Sequence, residues 1–178
     1  ILVNSFCLQW QLISIISIES NALTLITFSG LTERTLQEIK TSHLNLIKEL
    51  FPVSDEVLLD INDTFVEIEW VLDESPHEDY DYTYDQIVSI GELLSSKILV
   101  HFLKHLNILC EWLDIRDIIL TDNTYRDARV QWDVTLSNAK SKIEPLLNKV
   151  NHVVTQGFIG STSENFTTTL GREGSDYT

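Results

Sequence analysis

The stretch DQIVSIGELLSSKILVHFLKHLN, residues 85–107, constrains the fold more than any other part of the sequence. Ile87, Ile90, Leu94, Ile98, Leu99, Phe102 and Leu106 recur near helical spacing and make one wide apolar stripe. Such a helix must cover another hydrophobic layer, since each Å² of apolar surface left in water forgoes roughly 25 cal/mol. The next stretch, ILCEWLDI, loses the helical period and reads as a buried strand. Upstream, Leu36, Ile39, Leu44, Leu46, Ile47 and Leu50 predict a helix from Thr32 that ends at Phe51-Pro52. A second helix is predicted over 55–72. Downstream come a polar loop over 117–133, a helix ending near Val150, a strand in HVVTQGFIG and another in FTTTLG. A last turn then opens a further helix. Strands alternating with helices predict an α/β fold with a largely parallel sheet.

Residues 1–30 hold short β-branched runs, LISIISI and LTLITF, which predict one or two buried strands. No Lys or Arg precedes Arg34, and Gln9, Gln11, Glu19 and Asn21 interrupt the apolar run. A signal peptide and a membrane span are therefore not expected. The segment DESPHEDYDYTYD, residues 73–85, reads as a solvated acidic loop. With 27 acidic against 12 basic side chains and a net charge of −15, a nucleic-acid partner is not expected, because phosphate binding needs clustered Lys and Arg. Cys7 and Cys110 form neither a metal-ligand spacing nor a disulfide framework, which points to a reducing, cytoplasmic setting. The chain has no methionine, even at position 1, and is expected to be a fragment or a processed product.

Four of the six glycines, Gly157, Gly160, Gly171 and Gly174, fall in the last 22 residues. A glycine turn opening a helix lets backbone approach an anion and aims N–H groups at it. Arg172 adds a planar cation suited to a carboxylate or phosphate, Ser175 a hydroxyl donor, and Asp176 a carboxylate able to orient a nucleophile or a lysine. A plain glycine turn with a Ser-Asp helix cap fits the same spacing, and the residues alone leave both readings open. Glu92 follows Gly91 inside the apolar helix, where glycine costs about 1 kcal/mol relative to alanine. That position implies close packing and a carboxylate that either meets an amino group or reaches the helix edge. His101 and His105 have metal-ligand spacing, but they share their face with Lys97 and Lys104, which reads as a solvated stripe.

Three stretches together resemble successive blocks of the aspartate kinases: VSIGELLSSKILVHFL, WLDIRDIILTDNTYRDA and VVTQGFIGSTSENFTTTLGREGSDYT. The terminal block is similar to the monofunctional, lysine-pathway type, with Glu173 standing where glycine is more usual. The resemblance covers roughly residues 31–178 and divides the chain into an unmatched apolar segment, 1–30, and a partial catalytic domain, 31–178. It implies a three-layer αβα sandwich of the amino acid kinase type, with a mainly parallel sheet that is incomplete at both ends. It further implies transfer of the γ-phosphate of ATP, with Mg²⁺, to the β-carboxylate of L-aspartate by an enzyme that is a homo-oligomer at full length. By that resemblance Glu92 meets the substrate amino group, and Arg172, Glu173, Gly174 and Ser175 form the substrate loop. Asp176 organises the catalytic lysine and the transferring phosphate.

Two family segments have no counterpart in this chain: a KFGG-type strand and loop carrying the lysine, and a serine-rich SAM…TN loop. Since phosphoryl transfer rests on positioning and charge, the chain by itself is expected to be inactive. Codons chosen for FCLQWQLIS can be read two bases later as LSAMATNL, so residues 1–30 are expected to reflect a frameshifted or miscalled gene start. The alternatives are the kinase half of a bifunctional aspartokinase–homoserine dehydrogenase and a non-catalytic aspartate-binding fragment.

Overall fold

The computed structural model describes residues 29–51, 55–73, 79–171 and 174, with side chains from residue 33 onward. The expected strands within 1–30 lie outside the described residues. The chain divides into two compact units, residues 1–99 and 100–178.

In the first unit, helix α1 spans Ser29–Leu50 and α2 spans Asp55–Asp73. The α1 stripe of Leu36, Ile39, His43 and Ile47 is buried, as is the α2 stripe of Val57, Ile61, Phe65 and Ile68. Both follow the spacing of three and four residues that turns one helix face inward. Asp55 and Glu56 sit in the first turn of α2, where carboxylates complement the helix dipole. Between the two helices the His43 ring meets Phe65 edge-on at 5.5 Å, and Lys40 pairs with Glu69 at 3.0 Å.

Helix α3 spans Tyr80–His105. It begins well before Asp85, so YDYTYD forms its first turns rather than a loop. The reason is a cap: the Asp79 carboxylate accepts the backbone N–H of Asp81 at 2.9 Å and of Tyr82 at 3.4 Å. Through the middle of α3 nearly every residue is buried, including Ser89, Ser95 and Ser96. Those hydroxyls are satisfied within the helix by the carbonyls of Gln86, Glu92 and Leu93 at 3.0–3.1 Å. By length and composition α3 could cross a membrane, but most of its apolar stretch is packed inside the protein. Lys97 is not part of a solvated stripe. Its ammonium donates to Asp60 at 2.7 Å and to Thr64 at 2.9 Å, two residues one turn apart on α2.

The second unit opens on the end of α3, where Asn107 takes a φ of 60°. The N–H of Ile108 reaches back to the Leu103 carbonyl at 3.0 Å, the bond pattern that closes a helix on a left-handed residue. Strand β1, Cys110–Trp112, pairs in parallel with β2, His152–Val154, with Cys110 opposite His152. Helix α4, Trp132–Leu147, provides the crossover between them. Strands β3, Ile159–Ser161, and β4, Thr167–Thr169, form an antiparallel hairpin.

HVVTQGFIG is thus two strands in two different ladders. The chain turns between them at Phe158, whose φ is 71°, while the buried Gln156 side chain accepts the N–H of Ile115 at 2.8 Å. Nor is 117–133 simply a polar loop. Ile118 and Ile119 are buried, Leu120 bridges Ser161 in parallel, and Thr121 bridges Val130 in antiparallel. The architecture is α/β with a parallel segment, as expected from the alternation of periods, and the hairpin adds an antiparallel element to it.

Candidate active site

The hairpin carries the chain to the glycine turn singled out in the sequence. Thr167, Thr168 and Thr169 are all buried, an unusual load of hydroxyls for a strand. Their environment satisfies them: the Thr168 and Thr121 hydroxyls share a hydrogen bond at 2.8 Å, and the Thr167 hydroxyl accepts from the Arg116 guanidinium at 3.3 Å. Arg116 is itself held by Asp114, which accepts from Nε at 3.0 Å and from Nη2 at 2.7 Å. The Arg116 carbonyl accepts the Ser161 hydroxyl at 2.6 Å. Ser161 and Thr167 face each other across the hairpin, so one arginine grips both strands at one register position.

Past β4, Leu170 donates its N–H to the Phe158 carbonyl at 2.9 Å, and Gly171 turns left-handed with a φ of 72°. The Gly174 N–H then closes on the Gly171 carbonyl at 3.2 Å. A Cβ on Gly174 would lie 2.5 Å from Leu170 Cβ and 3.3 Å from the Phe158 ring. A Cβ on Gly171 would lie 2.5 Å from an Asp127 carboxylate oxygen. Both glycines are therefore required by space, and Gly171 by conformation as well.

Of the six site residues expected from sequence, two are described. Gly174 is buried in the turn, and Glu92 is half-buried on α3 between the buried Gly91 and Leu93. Glu92 belongs to the first unit and Gly174 to the second. Arg172, Glu173, Ser175 and Asp176 lie outside the described residues.

Sequence reasoning missed the Asp114–Arg116 pair and Asp122. The Asp-x-Arg spacing in WLDIRD was a local signal for the first, but its reach to Thr167 has no sequence signature. Asp122 accepts the N–H groups of Thr124 and Arg129 at 3.1 and 3.0 Å. Partial burial opposes its charge, yet these bonds and the nearby Arg129 outweigh it and hold the carboxyl below the usual range.

Residues 13–178 match the amino acid kinase family along their whole length. The chain belongs to that family. Among its relatives, the lysine-sensitive aspartokinase 3 of Escherichia coli is 39% identical over 94 residues, which are 53% of this chain and 21% of that protein. An aspartokinase of Chlamydia pneumoniae is 30% identical over 152 residues, 82% of this chain and 30% of the relative. A chloroplastic bifunctional aspartokinase/homoserine dehydrogenase 2 of Arabidopsis thaliana is 30% identical over 95 residues, 52% of this chain and 10% of that protein. The crystal structure of E. coli aspartokinase III with aspartate and ADP superimposes with a TM-score of 0.79 at 28% identity, over 92% of this chain and 36% of that one. This family member thus has the amino acid kinase fold and spans from about a tenth to just over a third of the length of these relatives.

Proposed function

We propose that the chain carries the aspartate-recognising part of an aspartate kinase catalytic domain within residues 31–178. In the reaction, an oxygen of the L-aspartate β-carboxylate bonds to the γ-phosphorus of ATP. The bond to the β,γ-bridging oxygen breaks, ADP leaves, and 4-phospho-L-aspartate forms. Glu92 takes the substrate ammonium, and Arg172 grips a substrate carboxylate in a bidentate pair. Glu173, Gly174 and Ser175 present backbone and hydroxyl donors, and Asp176 orients the phosphoryl-transfer groups. Mg²⁺ enters with the nucleotide. Such an ion is held chiefly by the nucleotide's phosphates and water, and no step is assigned to it. The full-length enzyme is a cytoplasmic homo-oligomer.

The observation that carries this reading is the Gly171–Gly174 turn, built by two sterically required glycines within TTTLGREGSDYT. It is supported by likeness to a structure that holds aspartate and ADP. Identity is higher to the lysine-sensitive aspartokinase, at 39%, than to the bifunctional plant relative, at 30%. That difference favours the monofunctional lysine-pathway type. The bifunctional reading keeps the same site and differs only in what is joined to it.

Calorimetric titration of L-aspartate into the purified chain tests the proposal, with hydroxylamine trapping of any acyl phosphate formed from ATP and Mg²⁺. Saturable binding that Arg172→Ala weakens by about tenfold or more is the expected result. Absence of binding overturns the reading; binding without acyl phosphate is the result expected of a chain that spans only part of the catalytic domain. Acyl phosphate formation would overturn the expectation that it is inactive by itself.

A further inference from the structure

We infer that the loop from Thr121 to Val130 is a positioning element for the Gly171–Gly174 turn and that Asp122 is the residue that sets it. The inference rests on the reading of that turn as the aspartate-binding loop. The loop is closed at its base by a β-bridge and by the hydrogen bonds of Asp122. Thr121 bridges Val130, the Asp122 N–H donates to the Arg129 carbonyl at 3.1 Å, and the Asp122 carboxylate accepts from Arg129 N–H and Thr124 N–H at 3.0 and 3.1 Å. One carboxylate oxygen thus joins both arms of an otherwise exposed loop.

The closed loop then meets the chain leading to the turn at three successive levels. At Thr168 the Thr121 hydroxyl bonds the threonine hydroxyl at 2.8 Å. At Thr169 the carbonyl accepts the N–H of the buried Ala128 at 3.0 Å. At Gly171 the Asp127 carboxylate occupies the place a side chain would take, 2.5 Å from the ideal Cβ position. Asp127 and Ala128 reach those places because Arg126 turns left-handed, with a φ of 66°, and the Asp127 N–H closes on the Thr124 carbonyl at 3.3 Å. A non-glycine residue in that region costs on the order of 1 kcal/mol and persists only where its surroundings over-determine it. The bonds around Asp122 supply that constraint. A turn that must present several donors at once gains affinity from being held in place before ligand arrives.

Asp122→Ala and Asp122→Asn are compared with the parent chain by L-aspartate titration and by amide hydrogen exchange. The alanine variant is expected to bind aspartate about fivefold or more weakly. Its amides at Ala128, Leu170 and Gly174 should exchange faster, while those at Ile61 and Phe65 in α2 and the global unfolding midpoint stay unchanged. The asparagine variant keeps an acceptor oxygen and should recover most of both losses, which a mere loss of charge would not allow. Unchanged exchange at Gly174 in Asp122→Ala overturns the inference. Where that variant fails to fold, Asp127→Ala removes an exposed side chain from the contact with Gly171 and should speed exchange at Gly174; unchanged exchange there overturns the inference equally. If the parent chain binds no aspartate, the functional reading falls, and the exchange data still decide whether the loop sets the turn.

Discussion

At Gly174 the room for a side chain is already taken by Leu170 and Phe158, and neither neighbour is the free end of a flexible chain. Gly174→Ala should therefore displace the turn at a cost of about 1–3 kcal/mol, the usual range for overpacking. It should weaken aspartate binding well beyond what the lost stability explains, which calorimetry with parallel thermal unfolding would separate. His43 shows a second effect of burial. It is 3% exposed, with its Nδ1 2.8 Å from the Ile39 carbonyl. Loss of hydration pushes the imidazole below its ordinary value of 6.5, and the backbone bond offsets this only in part. The unfolded chain then binds more protons than the folded one between the lowered value and 6.5, so stability falls as pH drops through that window. His43→Leu should flatten this slope, as read from urea midpoints between pH 7 and 5.

At the scale of elements, Lys97 ties α3 to α2 through Asp60 and Thr64, with its own side chain only 17% exposed. Lys97→Met leaves Asp60 facing an apolar group at a partly exposed site, and a cost of about 1–2 kcal/mol is expected after allowing for solvent screening. Asp60→Asn in the Lys97→Met background should cost less than it does in the parent chain, a coupling that a double-mutant cycle in urea measures. The helices themselves were legible because burial repeats every three or four residues in Leu36–Ile47 and Val57–Ile68. The start of α3 was not, since YDYTYD has loop composition and turns helical through the cap at Asp79. HVVTQGFIG reads as one strand by its apolar run, yet the left-handed Phe158 divides it between two ladders.

Across the whole molecule, the family match over residues 13–178 agrees with what the TQGFIG and TTTLGREGSDYT stretches implied, and it takes in residues 13–30, which the resemblance had left unmatched. The α/β class and the helices, apart from the start of α3, were determined by local sequence, because helical period and strand alternation are properties of neighbouring residues. The glycines of the turn stand in the sequence, but the space that requires them is taken by Asp127 and Phe158, far along the chain. Tertiary structure alone decided that Lys97 is an internal ion-pair partner, that Arg116 grips both strands of the hairpin, and that the loop tied by Asp122 sets Asp127 against Gly171. Thr167 lies 51 residues from Arg116, and Asp60 lies 37 from Lys97. A polar side chain's partner at such separation is chosen by which surfaces the packed elements bring together. Composition and spacing along the chain do not encode that choice in readable form.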